Sequence, residues 1–191
     1  MSNYQEIDSL EDKLTEMIRG RATYRERLGE IERDENLSST GRHAEAVELC
    51  EKAKAKHKEL KASYEAEVET LRESLRKEAF SPKFGYLTDQ ATKVATRAAY
   101  AAAMDRAENM DAGQLKAAME RALRADDELS AQAIAHVAWE KGESRVLEAY
   151  MEHDKGSDLR RLYQFEASYG DRRTAQRKFE QRIAFSPPDW P

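Results

Sequence analysis

The stretch IDSLEDKLTEMIRGRATYRERLGEI, residues 7–31, decides the fold. Its apolar residues fall at Ile7, Leu10, Leu14, Met17, Tyr24, Leu28 and Ile31, in alternating steps of three and four. Arg21 occupies the one missing position. Such a seam, held for more than three heptads with charged residues elsewhere, is the pattern of a helix that pairs along its length with another. The pattern stops at Asp34-Glu35-Asn36, and Leu37-Ser38-Ser39-Thr40-Gly41 follows with turn residues and capping hydroxyls.

A second seam runs through Cys50, Ala53, His57, Leu60, Tyr64, Val68, Leu71 and Leu75. Its two successive steps of four, Leu60 to Tyr64 to Val68, form a stutter that locally relaxes a left-handed supercoil. The short connection predicts that the helices fold back antiparallel. Leu28 then faces Cys50, Leu14 faces Tyr64, Ile7 faces Leu71, and Arg21 shares a layer with His57. Burying two cations together is unfavourable, so a neutral His57 is expected, or an Arg21 that reaches a carboxylate such as Glu59. The shared layer reads as a register lock or, in a thin two-helix seam, as two side chains that extend toward water.

Beyond this hairpin, Phe80-Ser81-Pro82-Lys83-Phe84-Gly85-Tyr86-Leu87 breaks the helical pattern, because proline disfavours helical geometry in the residue before it. Its three aromatics predict a packed elbow, with an exposed docking strip as the alternative. Shorter helices follow. One runs from a cap at Thr88 or Asp89 to about Asn109 and is crowded with alanine, which predicts close helix packing. Others open at Asp111, at Asp126 or Asp127, at Glu143 or Ser144, and at Ser157. The helix after Asp127 is apolar almost all round, with Glu128, Gln132, His136 and Glu140 as a narrow stripe toward solvent; it is expected to be the central one. Gly142 suits its C-terminal cap. The last helix places Ala175, Phe179 and Ile183 on one face, expected to pack, with its basic residues spread round the rest.

The chain therefore reads as all-α: an antiparallel coiled-coil hairpin (1–79), an aromatic elbow (80–88), a multi-helix bundle or short array of helical hairpins (89–185), and a Pro/Trp tail (186–191). Composition agrees. Charged residues make up 36%, and eight glycines and four prolines leave most of the chain free of breakers.

No catalytic, cofactor or metal site is expected, and the chain is read as a non-enzyme. His43, His57, His136 and His153 lack metal-ligand spacing, no second cysteine joins Cys50, and no glycine-rich phosphate loop occurs. Cys50 falls on the seam, as a small buried hydrophobe. A single cysteine, no signal-type apolar core and no long apolar run predict a soluble cytoplasmic protein, neither secreted nor in a membrane. The net charge of −5 argues against a protein devoted to a nucleic-acid backbone. Glu166 sits by helical angle among Leu159, Leu162, Tyr163 and Tyr169, so it is expected to pair internally, with Arg145, Arg172 or Arg173.

Charge is nevertheless uneven. Acids dominate from Asp105 to Asp154, while Arg160, Arg161, Arg172, Arg173, Arg177, Lys178 and Arg182 outweigh the acids toward the C-terminus. The expected partner-binding residues are Arg172, Arg173, Arg177, Lys178, Phe179, Arg182 and Trp190. Trp190 lies in a stiff proline-rich ending and either tucks back on the chain or docks on a neighbour as an anchor. The partner is expected to be protein, as a homo-oligomer or a larger assembly, with a nucleic-acid-associated module as the alternative use of the basic helix.

Two resemblances accompany these readings. Ala138-Trp139-Glu140-Lys141-Gly142-Glu143 followed by Leu147-Glu148-Ala149-Tyr150 resembles one tetratricopeptide repeat, which implies a peptide groove; a stable array needs about three repeats. In architecture and composition, a helical acidic rod with a basic C-terminal helix is similar to small assembly proteins of tailed phages, of the scaffolding or head–tail type. That likeness implies a structural virion or scaffold role and transfers no residue.

Overall fold

The computed structural model describes residues 3–170 and 173–187, with side chains from Ile7 onward. Among them the chain is all-α: α1 (Asn3–Arg33), α2 (Ser39–Phe80), α3 (Gln90–Glu108), α4 (Ala112–Arg124), α5 (Glu128–Lys141), α6 (Ser144–Glu152), a 3-10 turn (Asp154–Gly156), α7 (Ser157–Ser168) and α8 (Ala175–Phe185). They form two compact units. The first comprises residues 1–71 and 166–191, and the second comprises residues 72–165. The C-terminal segment thus groups with α1 and α2, whereas the sequence pattern places it with the shorter helices.

In the first unit, α1 and α2 run antiparallel. The Lys13 ammonium meets Ser63 at 2.9 Å and the Glu67 carboxylate, while Lys56 reaches back to Glu16 at 3.0 Å. Leu10, Leu14, Met17 and Tyr24 of α1 are buried, as are Cys50, Tyr64, Val68 and Leu71 of α2. The turn is closed by polar bonds. Ser38 Oγ accepts from the Gly41 amide at 3.1 Å, and the Arg42 guanidinium donates to the carbonyls of Asp34 and Leu37. Four orphan donors at the start of a long helix are thereby reduced by one, and two loop carbonyls gain a partner. Glu166 is buried here, packed so closely on Gly170 that a Cβ at that glycine would overlap its carboxylate.

In the second unit α5 is central, packed by α3, α4 and α6. Ala131, Ala133, Ile134, Ala135, Val137 and Ala138 are all buried. Asp89, Asp111 and Asp127 cap α3, α4 and α5, each accepting from an amide three residues on. Gly142 ends α5 at φ 75°, a left-handed geometry that an L side chain resists.

Three expectations change in this unit. The stripe on α5 faces solvent only at its ends, Glu128 and Glu140. Gln132 is buried and donates to the carbonyls of Ala79 and Ser81, at 2.9 and 3.2 Å. His136 stacks on Phe80 at 4.5 Å, and its Nδ1 lies 3.2 Å from the Tyr100 hydroxyl. The end of α2 and the residue after it supply the carbonyls that let Gln132 be buried. The elbow is only partly packed: Phe80 is buried and Phe84 lies 5.5 Å beneath Arg97, but Tyr86 and Leu87 are 100% and 92% exposed. In α3 only Ala103 and Ala107 are buried; Ala91, Ala95, Ala98, Ala99, Ala101 and Ala102 face solvent, with Val94. Alanine serves helix propensity there more than packing.

Candidate interaction surface on α8 and α1

The side of α8 that packs is not its apolar one. Thr174 caps the helix through the Arg177 amide. Gln181 and Ala184 are buried, while Ala175 and Ile183 are exposed and Phe179 is 62% exposed. The expected packing face of Ala175, Phe179 and Ile183 is therefore turned outward.

Polar contacts with α1 and α2 explain this orientation. Gln181 Nε2 donates to the Tyr64 hydroxyl at 2.8 Å, and its Oε1 accepts from the Arg173 guanidinium. Arg177 donates to Glu11, to Glu180 and to the Ser168 carbonyl, and lies 4.9 Å over the Tyr169 ring. Tyr169 donates to the same Glu11 carboxylate. Burial opposes the Arg177 charge, but the bonds to Glu11 and Glu180 more than offset it and hold the guanidinium above its ordinary pKa. Burial, and then the Glu11 carboxylate, push the Tyr169 phenol up as well. Further along, Arg21 leaves the seam and donates to the Ile183 carbonyl at 2.6 Å, taking that acceptor in place of the expected Glu59. The half-buried Phe185 ring packs edge-on to Tyr64 at 5.3 Å.

These bonds sort the expected partner-binding residues. Arg177 is consumed internally, and Arg173 is partly so. Lys178, Phe179 and Arg182 remain exposed on one side of α8. Arg172 and Trp190 lie outside the described residues. The sequence reading missed Ile18, which is 45% exposed and stands one turn before Arg21 on α1. Since Arg21 bonds the Ile183 carbonyl, Ile18 and Ile183 are carried on adjoining turns of α1 and α8. The signal was present in the sequence: Ile18 lies off the heptad seam beside Met17, an apolar residue without a place in the first pairing.

The surface is thus apolar at Ile18, Phe179 and Ile183, and basic at Lys178 and Arg182. Nearby acids are neutralised. Glu180 is held below the usual carboxylate range, first by Gln176 and then by Arg177, and Glu11 is shared by Arg177 and Tyr169. No group of three or more His, Cys, Asp or Glu that could hold a metal occurs among the described residues, and none of their helices is long and apolar enough to cross a membrane. No protein-family model, curated protein or solved structure matches this chain.

Proposed function

We propose that this chain is a non-catalytic adaptor or assembly protein that engages a protein partner through the outward face of α8 and the adjoining turns of α1. The α1–α2 pair serves as a coiled-coil arm that presents this face, in the manner of a small scaffolding component. The observation that carries the reading is the inversion of α8. A helix whose polar residues are spent on internal bonds while Phe179 and Ile183 stand in water keeps its apolar side for something else. Lys178 and Arg182 beside them select an acidic partner by charge and speed the encounter.

The reading as a nucleic-acid module keeps Lys178 and Arg182 but not Arg177, which is bound to Glu11 and Glu180. The test is sedimentation of the purified chain, alone and with proteins captured from its source, for wild type and for a Lys178→Glu/Phe179→Ser/Arg182→Glu variant. A complex, with itself or with another protein, that the variant loses while keeping its helical signal supports the proposal. Identical behaviour of the two chains, or a salt-dependent complex with duplex DNA in place of protein, overturns it.

A further inference from the structure

Helices α3 and α4 follow one another in the chain and each packs on α5, yet they scarcely touch each other. Between them lies a pit of about 380 Å³, closed on its third side by the N-terminal half of α5. Its floor is apolar and buried. Ala103 and Ala107 come from α3, Ala118 and Ala122 from α4, and Ile134 from α5. Alanine faces let two helices approach closely, so walls of this kind held apart leave room for a side chain from outside.

Two arginines stand on the exposed rim, Arg106 on α3 and Arg121 on α4. Each donates from Nε to the carbonyl one turn back on its own helix, that of Ala102 at 3.0 Å and that of Ala117 at 3.3 Å. This bond steadies the guanidinium, and neither arginine forms an ion pair among the described residues. The acid in the lining, Asp127, is engaged as the cap of α5. It accepts from the Ser130 amide at 3.0 Å, and its carboxyl is held below the usual range first by the Ser130 hydroxyl and amide, with a smaller contribution from the Arg106 charge. By helical angle, Asp105, Glu108 and Glu120 lie on the far sides of their helices.

We propose that this pit is a second docking site, and that its occupant is a bulky apolar side chain, flanked by carboxylates, on a segment of a protein partner. The site belongs to the second compact unit and stands whether or not α8 binds a partner. Charge selects the occupant. Guanidinium forks with open terminal edges pair end-on with carboxylates, and one fork on each wall calls for an acid on either side of the residue that fills the floor. The volume admits an aromatic ring, since apolar cavities of about 150 Å³ in other proteins take a benzene. A small molecule in so open a pit would keep much of its surface in water, whereas pockets for such ligands enclose most of it. A side chain delivered by a larger body has no such requirement. A polyanion such as duplex DNA is repelled by the acids that dominate from Asp105 to Asp154, while single carboxylates reach the forks directly.

The test uses the full chain and short fluorescein-labelled peptides. One carries a tryptophan between pairs of glutamates, a second has alanine in place of tryptophan, and a third has glutamine in place of glutamate. Binding is read by anisotropy, and the location by the NMR shift of the methyl of Met110, which lines the pit. The tryptophan–glutamate peptide is expected to bind and to move that methyl, and the other two to bind at least about tenfold more weakly. Arg106→Gln/Arg121→Gln changes exposed side chains, so it is expected to keep the melting temperature while weakening the first peptide at least about tenfold. Lys178→Glu/Arg182→Glu is expected to leave that peptide's affinity unchanged. Equal binding of the first two peptides, binding indifferent to the arginine substitutions, a Met110 methyl that stays in place, or no binding at millimolar concentration would each overturn the proposal. Indoleacetate binding as tightly as the peptide would make the pit a small-molecule site, and displacement of the peptide by duplex DNA would make it a nucleic-acid contact; either result overturns the protein occupant. A loss caused only by Lys178→Glu/Arg182→Glu puts the peptide on α8 and removes the pit, so the two proposals fail separately.

Discussion

Helices α5 and α8 solve the same problem in opposite ways. α5 buries apolar side chains on nearly every side, and even Gln132 and much of His136 from its polar stripe go inside because Ala79, Ser81, Phe80 and Tyr100 receive them. α8 buries Gln181 and the bonding end of Arg177 and leaves Phe179 and Ile183 in water. The first helix is held by apolar area with a few satisfied polar groups. The second is held by a polar network with little apolar area beyond Ala184 and part of Phe185. A helix of the first kind has done its work within the fold, whereas the second retains an unused face.

The sharpest contrast is in how the two respond to substitution. Leu147 of α6, fully buried beside α5, is expected to cost about 3 kcal/mol when cut to alanine, through lost transfer energy and a residual cavity. Thermal or urea denaturation measures this. A cost under about 1 kcal/mol would mean that the α5 cluster is not a packed core.

The corresponding substitution in α8 is Gln181→Leu. In an apolar interface a buried leucine would stabilise. Here Gln181 is 2% exposed and satisfies both the Tyr64 hydroxyl and Arg173, so its loss takes a partner from one buried and one part-buried polar group. A loss of about 2 kcal/mol is expected, with the near-complete helical signal kept. Equal or greater stability in urea would show that α8 is held by apolar contact after all.

The contrast extends to pH. His136 is held below its ordinary value of 6.5, mainly by burial, with Glu140 opposing and Arg76 assisting. Neutral, with its proton on Nε2, it accepts from Tyr100 at Nδ1 and points that proton toward Glu140. Because the folded state binds the proton less tightly than the unfolded one, the contribution of neutral His136 is fully present above pH 6.5. It is lost as pH falls below that, toward the lower folded value. Urea midpoints are expected to drop on acidification from pH 7 toward about pH 5, above the range where carboxylates titrate. His136→Phe is expected to flatten that slope. An unchanged slope would place its cause elsewhere.

The sequence revealed α5 far better than α8, for a physical reason. Apolar periodicity reads burial correctly wherever apolar side chains drive it, as along Leu10, Leu14 and Met17, through Tyr64, Val68 and Leu71, and at the apolar positions of α5. Capping at Asp89, Asp111 and Asp127 is equally legible, because each cap depends on residues three positions away. The inversion of α8 depends on partners 117 and 166 residues distant, Tyr64 for Gln181 and Glu11 for Arg177. Local pattern treats glutamine and arginine as solvent-facing unless such partners are known. The same blindness put Gln132 and His136 in water and the alanines of α3 in a packed interface. Of the surface residues, Lys178 and Arg182 were legible as exposed cations, while Ile18 was signalled only by its place off the seam and the exposure of Phe179 only by the structure.

The smallest expected effect is the most telling. Phe179→Ser removes a large apolar side chain, and in a packed helix such a change costs about 3 kcal/mol or more. On the outward face of α8 it removes contact mainly with water, so stability is expected to stay within about 0.5 kcal/mol of wild type, as for other surface substitutions. Ile183→Ser is expected to cost somewhat more, because at 40% exposure its side chain still covers part of the helix pair. Denaturation of the two variants beside Gln181→Leu therefore ranks the three positions in the reverse of their hydrophobicity. That order follows only if the polar side of α8 is the packed one. A Phe179→Ser chain that melts as early as Gln181→Leu would return Phe179 to the core and leave α8 without a free face for any partner.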